Sequence, residues 1–181
     1  MKTPVRDLIE EHQAISVALN IIEQISTRCR KENEINTADI NDLLGFLKVF
    51  ADHCHHGKEE NYLFPALEKA GIRKEGGPIG FMLRQHDQGR SLIGRMEAAV
   101  SGDPVDKAGF ADAATEYVNL MRAHIGRENT VLFPAIEVKL SAAEQLELQE
   151  NFENHENEVI GEGRHEELHA LLERLSRKYP G

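Results

Sequence analysis

Apolar residues recur at every third or fourth position through most of the chain, a spacing that predicts helices rather than strands. Val5, Leu8, Ile9, Ile15, Leu19, Ile22 and Ile25 form the first stripe. It predicts a helix reaching about residue 27, opened by the Thr3 hydroxyl and by Pro4 at the first helical position. The polar run 28–36 reads as a loop, and Thr37 with Asp39 marks a second helix start. Its stripe is Ile40, Leu44, Leu47 and Ala51, continuing to Leu63. Pro65 should kink or restart this helix, and Gly71 should cap it in the left-handed conformation. Gly76-Gly77-Pro78 opens a third helix, whose inward face is Ile79, Met82, Leu83, Gly89, Ile93 and Met96 and whose end is Ser101-Gly102. Asp103-Pro104 reads as a fourth start, followed by Phe110, Ala113, Tyr117, Leu120, Met121 and Leu132. Short loops between such helices make antiparallel hairpins.

Polar residues interrupt these stripes at one level. His12 stands between Leu8 and Ile15, and His86 between Met82 and Ile93. The second and fourth helices share a longer signature. His55-His56-Gly57-Lys58-Glu59-Glu60-Asn61-Tyr62-Leu63-Phe64-Pro65 aligns without a gap on His124-Ile125-Gly126-Arg127-Glu128-Asn129-Thr130-Val131-Leu132-Phe133-Pro134. His and Glu four apart share one helix face. In the first copy His53, His55 and His56 compete for the inward place. Projecting His56 and Glu60 backwards reaches Gly45, Lys48 and Asp52, a solvated face. That leaves His55 and Glu59 inward, with His53, His56 and Glu60 exposed or behind the inner residues. Leu8-Ile9-Glu10-Glu11-His12 also matches Met82-Leu83-Arg84-Gln85-His86, so the repeating unit is a helical hairpin.

The chain is therefore expected to be all-α: an antiparallel up-down-up-down four-helix bundle over residues 1–140, with an additional C-terminal helical segment, 141–181, packing on the same domain. Ser141 and Glu144 form a capping box. Leu146, Leu148, Phe152, Val159 and Ile160, then Leu168, Leu171, Leu172 and Leu175 beyond Gly161 and Gly163, suggest one broken or two short helices. His155, His165 and His169 follow no inward phase and are expected on a solvated face.

Any one of these histidines alone would read as an ordinary hydrogen-bonded core residue. Four imidazoles and two carboxylates in one oily interior cannot be read that way. Each buried polar group without a partner costs on the order of 1–3 kcal/mol, and an ionised carboxylate more. A bound cation removes the conflict. Imidazole and carboxylate without thiolate suit iron, manganese or zinc. Six donors exceed one tetrahedral zinc and divide naturally: His12 and His55 for one ion, His86 and His124 for a second, with Glu59 and Glu128 between.

Bulk properties narrow the partners. At 181 residues, 40% hydrophobic and 29% charged, the composition is that of one ordinary globular domain. A formal net charge of -10 argues against nucleic acid and anionic membranes. No signal peptide or spanning segment is evident, which makes a cytoplasmic location the expectation. Cys29 and Cys54 read as buried free thiols.

The tandem His-x-x-x-Glu copies ending in Leu-Phe-Pro resemble the hemerythrin-like proteins of the HHE cation-binding family, over about residues 1 to 140. The resemblance implies a non-haem di-iron centre held by His12, His55, Glu59, His86, His124 and Glu128. The two irons would be joined by an oxo or hydroxo bridge, with manganese or zinc suiting the same donors. Ferritin-like proteins use Glu-x-x-His instead, which does not recur here in the inward phase. Oxygen-carrying hemerythrins have a fifth histidine one turn after the third-helix ligand, where this chain has Arg90. That departure favours sensing or reaction over simple carriage. The implied function is binding or sensing of a diatomic ligand, oxygen or nitric oxide. The alternatives are a di-iron enzyme acting on nitric oxide or peroxide or donating iron to iron-sulfur centres, and a structural helical interaction module. Monomer and homodimer both remain open. Tyr117 either hydrogen-bonds a bound ligand or a carboxylate, or is a half-buried aromatic.

Overall fold

The Thr3 hydroxyl accepts the amide hydrogen of Arg6 and Pro4 fills the first turn, which starts helix α1, Pro4–Glu32, in the computed structural model. Residues 3–161 and 163–181 are described, and no strand occurs among them. Helix α1 runs past residue 27 because Cys29 is still buried, Arg30 and Lys31 complement the carbonyl end of the helix, and Asn33 caps it at φ 55.

The second rod, α2, begins at Thr37–Phe46, capped by the Asn36 side chain on the Asp39 amide. It widens into π-helix at Leu47–His56 and again at Glu59–Leu63, then returns to α-helix at Phe64–Lys69. Helix α3 is Pro78–Ser101. Helix α4 is Lys107–Arg127, π-helical at Glu128–Leu132 and α-helical again at Phe133–Lys139. Its start corrects the sequence expectation. Asp103-Pro104 lies in the connecting loop, and Asp106 supplies the cap by accepting the Gly109 amide hydrogen. Ser141 and Glu144 cap each other at the start of α5, Ala142–Val159. Positive φ at Gly161 and Gly163 separates it from α6, Arg164–Lys178.

Helices α1 to α4 form the antiparallel bundle, with α3 and α1 packing along α4. Helix α5 lies against the π-helical part of α2, and α6 against α1 and the start of α2. Two apolar cores result. The larger contains Ile15, Leu19, Leu47, Met96, Tyr117 and Met121, the smaller Leu8, Leu63, Phe64, Met82, Leu132 and Phe133. Along every bundle helix the boundary between the two falls at the interrupting polar residues. The structure thus places a buried polar layer between two oily ones. No described helix is long and apolar enough to cross a membrane.

Candidate metal centre

The π-helical segments decide which side chains reach this layer. A π-turn is wider than an α-turn, so each residue advances through a smaller angle. His55 and His56, neighbours in sequence, therefore both face inward and are both buried. This corrects the outward placement expected for His56, which assumed α-helical projection from Lys48 and Asp52. The proline of each Leu-Phe-Pro motif has no N–H to donate, and the wider turn absorbs that gap: the Phe64 amide bonds to the Glu59 carbonyl, and Phe133 to Glu128. The two copies share this π-turn, at Glu59–Leu63 and Glu128–Leu132, whereas the π-helix at Leu47–His56 has no counterpart in the second, where Lys107–Arg127 is α-helical.

All six residues singled out by the sequence converge in this layer, with His56 as a seventh. His12, His55, Glu59 and Glu128 offer ligand atoms within 4.8 Å of one another, and so do His56, Glu59, His86 and His124. Glu59 belongs to both groups. Its carboxylate lies 3.7 Å from His55 Nε2 on its own helix and 3.3 Å from His86 Nε2 on the other hairpin. Glu128 repeats the pattern, 3.0 Å from His124 Nε2 and 3.1 Å from His12 Nε2. The motif phenylalanines also cross over, Phe64 stacking on His86 and Phe133 on His12.

The opposite ring nitrogen of each histidine is held from outside. His12 Nδ1 meets Asn129 at 2.9 Å, His55 Nδ1 meets Glu11 at 2.7 Å, and His86 Nδ1 meets Glu60 at 2.7 Å. His124 Nδ1 meets Gln85 at 3.2 Å, and His56 Nδ1 meets Asp52 at 3.3 Å. Each outer atom is an oxygen of a carboxylate or a side-chain amide and accepts, so Nδ1 carries the hydrogen and Nε2 is the atom turned into the layer. This is the arrangement in which outer partners orient imidazoles toward a metal.

The inner atoms are left without partners. Nε2 of His12, His55 and His56 and both oxygens of Glu59 and of Glu128 are buried with no hydrogen bond. His86 Nε2 and His124 Nε2 face each other at 3.2 Å. So many converging lone pairs and negative charges fit a cation and nothing apolar. Protons compete with a cation for these positions. Burial and then the neighbouring His86 and His124 hold His56 well below the usual histidine range. Burial also opposes the charge on His86, but Glu59 and Glu60 outweigh it and push its pKa up to about 9. On Glu128 burial is overcome by His124 and His12, and its carboxyl is held far below the usual range.

Arg90 does not face inward. It donates to Asp52 at 2.8 Å and to Glu60 at 2.6 Å, clamping the two carboxylates that hold His56 and His86. A fifth imidazole is thus present, contributed by α2 and not by α3. Tyr117 is fully buried, with its ring against Gly89. His155, expected on a solvated face, is instead buried and donates from Nε2 to the His53 carbonyl at 2.9 Å. His169 is exposed, and His165 is half-buried beside Glu156.

The outer partners were missed by the sequence reading, yet the repeat contains their signal. Glu11 and Gln85 each precede the histidine of a first helix, and each accepts from the second-helix histidine of its own hairpin. Glu60 and Asn129 each follow the motif glutamate, and each accepts from the other hairpin's first histidine. Only the His56–Asp52 pair has no counterpart, because Ile125 stands where His56 would repeat.

A profile of the hemerythrin HHE cation binding domain matches residues 3–136. The uncharacterized proteins Rv1995 of Mycobacterium tuberculosis and Mb2018 of Mycobacterium bovis are each 31% identical to this chain over 165 residues. The match covers 88% of this chain and 64% of each relative, so the chain spans under two thirds of their length. No solved structure matches it significantly. The extent of the profile match and the buried histidine and glutamate groups lead to one conclusion: the chain belongs to the hemerythrin HHE cation-binding family.

Proposed function

We propose that the protein binds two iron ions and uses them to bind or sense a diatomic ligand, oxygen or nitric oxide. His12, His55, Glu59 and Glu128 would hold one ion, and His56, His86, His124 and the shared Glu59 the other. The observation that supports this most directly is the set of five buried imidazoles, each with Nδ1 bonded outward, grouped around Glu59 and Glu128 carboxylate oxygens that have no hydrogen bond. A pair of irons supplies the electrons and the vacant ligand position that such a molecule requires. The chain supplies what surrounds it. Phe64, Phe133, Leu63 and Leu132 keep water from the layer, and the outer acceptors hold each ring in place.

A second reading, turnover of peroxide or nitric oxide, is favoured by one observation. His86 Nδ1 and His55 Nδ1 bond to carboxylates, Glu60 and Glu11, and such partners raise the basicity of a ligating imidazole. Electron-rich ligands favour a metal that gives up electrons, as reduction of peroxide or nitric oxide requires. Metal analysis of the purified protein should find about two irons per chain; a colourless protein without metal would refute both readings. Titrating the ferrous protein with air separates them. A reversible oxygenated absorption band supports binding, whereas irreversible oxidation with consumption of peroxide or nitric oxide supports turnover.

A further inference from the structure

The two hairpins repeat each other in sequence but not in surroundings. Gly126 of the second copy has open space where a Cβ would stand, whereas at its counterpart Gly57 the His155 Nε2 lies 2.4 Å from that point. Arg127 is exposed above the Phe81 ring, whereas its counterpart Lys58 is 0% exposed. Helix α5 makes the difference, because it packs on α2, where His155 also meets the Tyr62 ring.

Lys58 is where this contact reaches the buried layer. Its ammonium donates to Glu156 of α5 at 2.8 Å, to Glu11 of α1 at 2.5 Å and to Asp7 of α1 at 3.3 Å. The other Glu11 oxygen accepts from His55 Nδ1 at 2.7 Å. A continuous line of charged contacts therefore runs from α5 through Lys58 and Glu11 to one imidazole of the first group. Its counterpart in the second hairpin has an uncharged acceptor, Gln85 on His124. A buried ammonium among carboxylates is stable only while its partners stay in place. Movement of α5 away from α2 removes Glu156 and leaves Lys58 and Glu11 to readjust, and the His55 ring with them.

We propose that Lys58 is a positioning residue that couples the docking of helix α5 to the metal position of His12 and His55, so that α5 sets how tightly that ion is held. The proposal rests on the di-metal reading above and adds to it a control element outside the matched family region, residues 3–136. It also makes the two ions inequivalent. The one beside His55 answers to α5, and the one beside His124 does not.

Coupling between two sites is reciprocal: if docked α5 tightens the ion, the ion tightens α5 by the same factor. The test uses the full chain loaded with ferrous iron, as wild type, Lys58→Met and Glu156→Gln. Iron removal by a chelator should show two phases in wild type. Loss of an outer partner weakens metal binding by roughly 10–100-fold; Lys58 acts one contact further out, through Glu11, so Lys58→Met should accelerate one phase by about 10-fold, the low end of that range, and leave the other unchanged. Glu156→Gln, which alters a partly exposed group, should shift the same phase by a smaller factor and guards against a Lys58→Met chain that does not fold. Amide hydrogen exchange gives a second readout, one that a merely structural lysine would not move. Iron should slow exchange in 142–159 of the wild type, and that slowing should vanish in Lys58→Met while iron still protects α3 and α4. Wild type that binds no metal overturns this proposal and the function together. Wild type with two irons, but variants with unchanged release and unchanged metal-dependent protection of α5, overturns this proposal alone.

Discussion

Replacing His56 by leucine should change the stability of the protein in opposite directions with and without metal. In the metal-free protein His56 Nε2 is buried with no partner. A buried polar group left unsatisfied costs about 1–3 kcal/mol. Leucine removes that penalty. The hydrogen bond it forfeits, to Asp52 at 3.3 Å, is long, and Asp52 keeps Arg90 at 2.8 Å. Some stacking on His86, at 3.9 Å between centroids, is also lost. The balance is a gain of about 1 kcal/mol, which for a chain of this size raises Tm by roughly 2–4 °C. With iron present the sign reverses. The second group retains only Glu59, His86 and His124, so metal content should fall from about two ions per chain toward one, and the loaded variant should melt below the loaded wild type. The assay is thermal unfolding by circular dichroism, with chelator and with ferrous iron, beside metal analysis of the same samples. A variant that loses stability equally in both conditions, or keeps two ions and an unchanged absorption spectrum, would show that His56 is a packing residue.

The repeat glycines should part company. Gly126→Ala, in open space within a helix, should gain about 0.5–1 kcal/mol from the better helix former. Gly57→Ala must displace His155 from the His53 carbonyl and should lie about 1 kcal/mol or more below it in denaturant unfolding; equal gains would mean that α5 does not press on α2. Asp39 anchors the end of α6 by accepting from Tyr179 at 2.6 Å, from Arg174 at 3.3 Å and from Lys178. Asp39→Asn should cost roughly 1.5–3 kcal/mol at neutral pH, since charged hydrogen bonds are lost. Burial raises the Asp39 pKa, but Lys178 and Tyr179 outweigh it and the net shift is downward. The stabilisation is therefore complete above the ordinary carboxyl range and is lost as pH falls through the lowered value. Melting curves of variant and wild type should converge only on the acid side of that range, and convergence near neutrality would contradict the assignment.

Local periodicity and repetition decided what the sequence revealed, and two separate physical causes decided what it concealed. Helices and hairpins were legible from α-helical periodicity, and so were His12, His86 and His124, which stand in α-helix; His55, Glu59 and Glu128 lie in π-helical segments and were legible because the two copies of the repeat align them. His56 was not, because in the π-helical backbone of Leu47–His56 two consecutive residues share the inward side, and a three-to-four count admits only one of them. Its neighbourhood did hold a clue in the His55-His56 doublet, which a purely α-helical frame forces apart. Lys58 was hidden for a different reason. Its burial depends on Glu156 and on His155 above Gly57, contacts between residues far apart in sequence that no local pattern encodes. Both hidden residues fall in the first copy of the repeat. In the second copy, which α5 does not cover, the matching positions are Ile125 and an exposed Arg127. The departures from internal symmetry thus cluster on the face that the C-terminal helix occupies, and from that face the duplicated scaffold acquires two unlike ion positions.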